Sequence, residues 1–93
     1  MENLKNKISE DQKNALKNGD ALRLSVLRML SAAIANKEIE LRKKDLGLSD
    51  QEILDVLSAE AKRRKDAIAE YGNGGRKDLA LKEQNELEIL RKY

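Results

Sequence analysis

Residues 49–93 read SDQEILDVLSAEAKRRKDAIAEYGNGGRKDLALKEQNELEILRKY, and this stretch decides the fold class. Apolar residues recur in it every three or four positions on both sides of the glycine-rich residues 72–75, which is the spacing of one buried face on each of two helices. Ser49 and Glu52 have the spacing of a capping box, in which each side chain accepts a hydrogen bond from a backbone N–H at a helix start. Continuing a helix through glycine costs about 1 kcal/mol per residue. The stretch therefore predicts a helix, a turn near residues 72–75 and a second helix that folds back on the first.

The first half of the chain shows the same periodicity in two further segments. One helix is predicted from about residue 3 to residue 17, ending at Asn18-Gly19, because glycine readily takes the left-handed conformation that ends a helix. Another is predicted from about residue 21 to residue 43, with Asp20 as its N-cap. The positions expected to face the core are Leu4, Ile8, Ala15, Leu16, Leu22, Val26, Leu27, Leu30, Ala33, Ile34, Leu41, Ile53, Val56, Leu57, Ala61, Ile68, Tyr71, Leu79, Leu87, Leu90 and Tyr93.

The predicted architecture is all-α, a four-helix antiparallel bundle that forms one domain over residues 1–93. Short connections make consecutive helices antiparallel neighbours, so we expect the second, third and fourth helices to form hairpins with the first packed across them. A chain of 93 residues supports one modest core.

The composition excludes several kinds of chemistry. The chain has no Cys and no His, so it offers no thiolate, no disulfide, no imidazole base and none of the commonest zinc ligands. Its few serines have no base beside them in the sequence. We therefore expect no enzyme activity, no metal and no cofactor.

The charge balance favours no particular partner. Nineteen basic and seventeen acidic residues leave a net charge of +2, far from the strongly basic balance of many nucleic-acid binders. The N-terminus is charged and lacks the apolar run of a secretory signal, and no stretch is apolar enough to span a membrane. The expected location is the cytoplasm, without membrane contact.

Four charged residues occupy positions where the helical pattern requires apolar ones, namely Glu38, Glu60, Arg64 and Glu83. An unpaired buried charge costs several kcal/mol, so each needs a partner within the fold or a bound ligand. Because the third and fourth helices turn back near Gly74, Arg64 is expected level with Glu83 or Glu86, and we predict an Arg64–Glu83 ion pair. A ligand-binding role for Arg64 is the alternative.

Two basic runs, residues 42–44 and residues 62–65, are candidates for phosphate contact. Four consecutive cations spread around a helix, so an ordinary solvated surface is the competing interpretation. The turn at residues 72–76 contains three glycines, but it lacks the preceding strand and the Lys-Ser/Thr pair of a phosphate-binding loop, which favours a simple helix–helix connection.

An ordered set of residues along the chain resembles the YqeY-like proteins. The set comprises Leu27-Arg28-Met29-Leu30, Ala32-Ala33-Ile34, Asn36, Glu38-Ile39, Lys62-Arg63-Arg64-Lys65-Asp66-Ala67-Ile68, Gly75-Arg76-Lys77-Asp78-Leu79-Ala80, Glu83, Glu86-Leu87, Ile89-Leu90 and Tyr93. The resemblance covers the chain from about Leu4 onward. It implies a bundle of the GatB/YqeY type.

YqeY-like proteins are similar to the C-terminal region of the B subunit of the glutamine-dependent amidotransferase that converts misacylated glutamyl- or aspartyl-tRNA to the amide. The resemblance implies that the homologous region engages tRNA, that the carbon–nitrogen ligase chemistry belongs to other domains or subunits, and that family members continue past the tyrosine into Leu-Pro and a smaller helical subdomain. We therefore expect residues 1–93 to be the N-terminal part of such a domain, with the smaller C-terminal subdomain absent. The resemblance assigns much of the tRNA contact to that subdomain.

Two functions follow as hypotheses. The first is an accessory domain that binds tRNA, amidotransferase subunits or both, with phosphate contacts near the exit of the third helix and its turn, at Lys62, Arg63, Lys65, Arg76 and Lys77. The second is a protein-interaction or structural module without nucleic-acid binding. In the second, an apolar surface around Leu87, Leu90 and Tyr93 docks the C-terminal subdomain or a second copy of the chain.

Overall fold

The computed structural model describes residues 3–93, and these residues form four α-helices. The helices are α1 Leu4–Lys17, α2 Ala21–Glu40, α3 Asp50–Asn73 and α4 Lys77–Leu90. The described part of the chain contains no strand, so the predicted all-α class is confirmed. Met1 and Glu2, which the predicted domain includes, lie outside the described residues.

Contacts between α1 and α2 show that these two helices are antiparallel. Lys5, near the start of α1, bonds Glu38 near the end of α2, and Gln12, in the second half of α1, accepts a hydrogen bond from Ser31. Gly19 closes the hairpin with a φ of 68°. The α1–α2 and α3–α4 pairs are the most extensively packed in the bundle. The predicted four-helix architecture is confirmed, but α1 forms a hairpin with α2 instead of packing across the other three helices.

The second helix is shorter than predicted. It ends at Glu40, and Arg42 takes a left-handed conformation with φ 56°. The N–H of Lys43 then donates to the carbonyl of Glu38 at 2.7 Å, which is the bond that closes a helix of this kind. The sequence offers no glycine at residue 42 to signal this end.

The third helix is longer than predicted and continues through Gly72 to Asn73. Gly75 alone of the three glycines in the turn has a positive φ, 73°. The N–H of Arg76 donates to the carbonyl of Tyr71 at 2.8 Å and closes the helix. Gly72 therefore behaves as an ordinary helical residue.

The core lies where all four helices meet. Its fully buried side chains include Ile8, Val26, Leu27, Leu30, Ile53 and Leu87. Leu16, Leu22 and Leu41 are exposed instead of buried as predicted, because Leu16 and Leu22 lie on outward sides of their helices and Leu41 follows the end of α2. The core also takes in Leu48 and Ile89, which the helical pattern did not predict as buried. Within residues 3–93, no helix combines the length and the apolar character needed to cross a bilayer.

Candidate nucleic-acid interface

Arg64 and Glu60 form an ion pair in the interior of the bundle. Arg64 is 4% exposed and Glu60 is 8% exposed. The Nη1 atom of Arg64 lies 2.7 Å from Oε2 of Glu60 and 3.2 Å from its carbonyl oxygen. The two residues are one helical turn apart on α3, so the helix itself sets their contact. A buried cation therefore has a buried counter-ion at short range.

Glu86 on α4 approaches the same guanidinium from the facing helix. Its Oε2 lies 3.8 Å from Nε of Arg64, which is an ion-pair distance but too long for a hydrogen bond. Nε of Arg64 is buried and has no hydrogen-bond partner. Burial, followed by the nearby charge of Glu83, raises the pKa of Glu86 and outweighs the opposing effect of Arg64.

The predicted Arg64–Glu83 pair is therefore corrected to Arg64 with Glu60 and Glu86. Arg64 and Glu86 are equally far along the chain from Gly75, and the position of that turn sets the register of the two helices. Glu83 lies one helical turn closer to Gly75 and is half-buried. The sequence places Glu83 and Glu86 on successive helical turns of the same face of α4. Only the geometry of the α3–α4 connection decides which of them lies beside Arg64.

Glu38 is the remaining charge that the helical pattern places in the core. It is 7% exposed, and Nζ of Lys5 lies 3.1 Å from its Oε2. Its partner comes from α1, which the sequence pattern did not indicate.

The interior pair determines which charges of α3 reach the solvent. Because Glu60 and Arg64 neutralise each other inside, the outer side of the helix presents Lys62, Arg63 and Lys65. All three are exposed, with the side chains of Lys62 and Arg63 at 80% and 76%. Lys62 and Lys65 are three residues apart and share the side that faces away from the core. This group is called the α3 cation face below.

Carboxylates hold the α3 cation face only loosely. Lys62 Nζ lies 3.5 Å from Asp66, and Arg63 Nη1 lies 3.7 Å from the nearly buried Glu60. Lys65 makes no ion pair within the described residues. Exposed pairs of this kind contribute between 0 and about 1 kcal/mol, so a phosphate can replace the carboxylate at little cost.

Arg76 and Lys77 lie at the turn before α4 and are exposed. Arg76 Nε lies 3.5 Å from Asp78, whereas Lys77 makes no ion pair within the described residues. About 17 Å of helix separates Lys62 from the end of α3. The five predicted cations therefore form two groups, the α3 cation face and the turn, instead of one cluster.

The predicted docking surface around Leu87, Leu90 and Tyr93 does not exist as an exposed patch. Leu87 is 2% exposed and Leu90 is 4% exposed, because both lie in the core of this chain. The Tyr93 hydroxyl donates to Oδ2 of Asp11 on α1 at 2.6 Å. Burial and this bond raise the pKa of Tyr93. For Asp11, burial acts to raise the pKa, but the bonds from Tyr93 and Lys7 outweigh it and lower the pKa below its ordinary value.

An open groove of about 500 Å³ lies between α2 and α3, beside Arg63. Its floor consists of small side chains, with Ala32 and Ala33 from α2 and Ala59 from α3. Within residues 3–93, no three Asp or Glu side chains come close enough together to hold a metal ion. The groove offers a small apolar floor between two helices, and its remaining lining includes charged side chains of both signs, Lys37, Glu40, Asp55, Glu60 and Arg63.

Comparison with known proteins identifies the family of the chain. The family model described as "Yqey-like protein" matches residues 5–93. A Kluyveromyces lactis protein named "Altered inheritance of mitochondria protein 41, mitochondrial" is 40% identical over 87 residues, covering 92% of this chain and 45% of that protein. Proteins with the same name from Lachancea thermotolerans and Candida glabrata are 36% and 31% identical over 86 residues, covering 92% of this chain and 45% and 47% of those proteins.

The chain thus spans less than half the length of these relatives. All three relatives are named as mitochondrial proteins, which contradicts the cytoplasmic location predicted from the N-terminal residues. Their shared name refers to inheritance and not to an enzymatic reaction. From the family match over residues 5–93 and the identity to these relatives, the chain belongs to the YqeY-like protein family.

Proposed function

We propose that this chain is a non-catalytic accessory domain that binds tRNA through the α3 cation face and acts alongside the amidotransferase of tRNA-dependent amidation. The observation that carries the proposal is the buried Glu60–Arg64 pair. That pair removes one carboxylate and one guanidinium from the surface, so Lys62, Arg63 and Lys65 project outward, with Asp66 and then Glu70 as the exposed carboxylates that follow them along α3.

The chemistry of the face suits a phosphate backbone better than bases. It offers long, mobile cationic side chains and no exposed aromatic ring on which a base could stack. Lysine and arginine gain affinity for nucleic acid mainly by releasing condensed counter-ions. Binding is therefore expected to depend strongly on salt and weakly on sequence, as in recognition of RNA shape.

The link to amidation rests on the resemblance to the C-terminal region of the amidotransferase B subunit. In that resemblance the ligase chemistry belongs to other domains or subunits, which agrees with a chain that lacks histidine and cysteine. The role proposed for this chain is to hold the tRNA or to contact amidotransferase subunits, with no bond made or broken on its own residues.

The test is tRNA binding by the wild-type chain and two double variants across a salt series. Lys62→Ala with Lys65→Ala removes the two lysines that point away from the core. The matched control, Lys13→Ala with Lys17→Ala, removes the same charge from exposed positions on α1. We expect the first variant to bind more weakly and to show a slope of log K against log salt that is less steep by about 2, one for each phosphate that a lysine no longer neutralises.

The control variant is expected to keep the wild-type slope. Equal losses in both double variants would show only a general effect of net charge and would contradict the assignment to α3. No binding at low salt would leave the alternative function, a protein-interaction or structural module without nucleic-acid binding.

A further inference from the structure

The second helix has an uncharged seam on its solvent side. Its members are spaced alternately three and four residues apart along α2, as Leu22, Ser25, Met29, Ala32, Asn36 and Ile39. All six are exposed, with Met29 at 46% and Ile39 at 62%. Alternating three- and four-residue spacing is the pattern by which a helix contacts another helix along its length. The seam extends over about 26 Å.

This seam lies opposite the side of α2 that faces the core. Leu27 and Ile34 are buried and fall midway around the helix from the seam positions. The core therefore does not account for the absence of charge along the seam. A solvent-facing helix side of six positions without one Lys, Arg, Asp or Glu is unusual in a chain in which 39% of residues are charged.

We propose that the seam and the adjoining α2–α3 groove bind one amphipathic α-helix of a partner protein, with an apolar face flanked by carboxylates near its middle. Met29, Ala32 and Asn36 belong both to the seam and to the groove wall, and the α3 side is formed by Asp55, Val56, Ala59, Glu60 and Arg63. A single helix in this position contacts α2 along the seam and α3 across the groove, which is the helix-in-groove mode of recognition. Small side chains at Ala32, Ala33 and Ala59 allow its backbone to come close.

Charges of both signs border the groove, with Lys37, Glu40 and Asp55 towards the end of α2 and two arginines beside the middle of the seam. Arg28 borders the seam on the side away from α3, is exposed and makes no ion pair within the described residues. Arg63 borders the groove on the α3 side at the same height, since Met29 contacts its neighbour Arg64. A helix lying between these two cations is favoured when the flanking positions near its middle carry Asp or Glu.

The charges also argue against a second copy of the chain as the occupant. In a symmetric antiparallel pairing of two α2 seams, Leu22 faces Ile39 of the other copy and Met29 faces Ala32. The same symmetry brings Lys62 and Arg63 of the two copies towards each other, because they lie level with the centre of the seam. Like charges placed together oppose that pairing.

The experiment uses the labelled chain and two 21-residue helical peptides with leucine at each a and d position. One peptide carries glutamate at the e and g positions of its central heptad and the other carries lysine there. We expect the acidic peptide to bind more tightly and to shift the backbone NMR signals of residues 22–39 and of Ala59. Ala32→Glu is expected to weaken that binding at least about tenfold, because it places a charged side chain against the apolar face of the bound helix.

The matched control is Ala69→Glu, the same substitution at an exposed helical alanine outside the groove. It is expected to bind as the wild type does. In the double variant Arg28→Glu with Arg63→Glu, the preference is expected to switch to the basic peptide. Equal binding of both peptides, shifts elsewhere on the chain, or self-association in sedimentation that Ala32→Glu abolishes would overturn the proposal.

Discussion

Arg64 connects the helical pattern of the sequence to the charge on the surface. Two carboxylates compete for it, Glu60 at 2.7 Å on the same helix and Glu86 at 3.8 Å on the facing helix. The shorter contact includes a hydrogen bond and the longer one does not. The two carboxylates are therefore expected to contribute differently to stability.

Glu60→Gln is expected to lower the free energy of unfolding by about 2 kcal/mol, because it removes the closer of the two counter-ions of a buried guanidinium while keeping one hydrogen-bonding oxygen. Glu86→Gln is expected to change it by less than about 0.5 kcal/mol at neutral pH, since it also removes the cost of burying a charge. Urea unfolding of the two variants measures the difference. A larger loss in Glu86→Gln would contradict the assignment of Glu60 as the main partner.

Because the pKa of Glu86 is raised, the stability of the Glu86→Gln variant is expected to depend on pH differently from that of the wild type. Between the pKa of the unfolded chain and the higher pKa of the folded chain, the folded state binds more protons, so stability falls as pH rises. Glu86→Gln is expected to lose this contribution. If the stability of the wild type and of the variant changed in parallel with pH over that interval, burial would not raise the pKa of Glu86.

Arg42 occupies a conformation that an arginine adopts at a cost. At φ 56° its Cβ crowds the backbone, which costs about 1 kcal/mol, whereas glycine adopts this conformation freely. Arg42→Gly is expected to raise the free energy of unfolding by about 1 kcal/mol over Arg42→Ala, which removes the same charge and keeps the Cβ. Chemical denaturation of the pair gives the answer. Equal stability would mean that the left-handed conformation costs nothing here.

The ends of the helices show how far the sequence predicts the elements. The start of α3 was predicted correctly, because the Ser49–Glu52 capping box is encoded by two side chains and is formed in the structure. The end of α2 was predicted wrongly, because nothing in the sequence at Arg42 indicates a left-handed conformation. The end of α3 was placed too early, because glycine permits a helix to end without requiring it, and Gly72 remains helical.

Two glycines of the α3–α4 connection are expected to respond oppositely to alanine. Gly75→Ala should lower the free energy of unfolding by about 1 kcal/mol, since φ is 73° there. Gly72→Ala should leave it unchanged or raise it by up to about 1 kcal/mol, because Gly72 is helical and an added Cβ meets nothing within 4 Å. Thermal unfolding of both variants and of the wild type measures the two changes in stability. Similar changes at both sites would contradict the turn geometry.

Glu52 links the start of α3 to pH. A hydrogen bond from Lys43, followed by one from the Ser49 backbone N–H, lowers the pKa of Glu52 from 4.5 to about 2. A carboxylate with a lowered pKa stabilises the fold above its unfolded pKa and loses that contribution as pH falls from about 4.5 to about 2.

Lys43→Met should raise the pKa of Glu52 by removing the largest of these causes. Glu52→Gln should flatten the loss of stability over the same pH interval. NMR titration of the Glu52 carboxyl carbon and unfolding at several pH values check the two statements. An unchanged titration in Lys43→Met would rule out the Lys43 bond as the main cause.

Packing of the four helices decides which helix faces are buried, and the sequence pattern of a single helix does not contain that information. Helical spacing predicted three of the buried charges, Glu38, Glu60 and Arg64, but named Glu83 where the structure buries Glu86. It predicted Leu87 and Leu90 as core positions, which their burial confirms, and the alternative of an exposed surface around them fails because the other helices cover them. It did not reveal the α2 seam, because α2 is apolar on two opposite sides and the packing of the bundle decides which of them is buried.

Mapping tRNA onto the lysines of the folded chain tests the central claim most directly. Reductive methylation adds ¹³C-labelled methyl groups to the Nζ atom of each lysine and keeps its charge, so every lysine gives a methyl NMR signal. The structure predicts that tRNA shifts the signals of Lys62 and Lys65 before those of Lys13 and Lys17, and that added salt reverses the shifts. Shifts spread evenly over all lysines, or confined to α1, would contradict the α3 cation face as the binding surface.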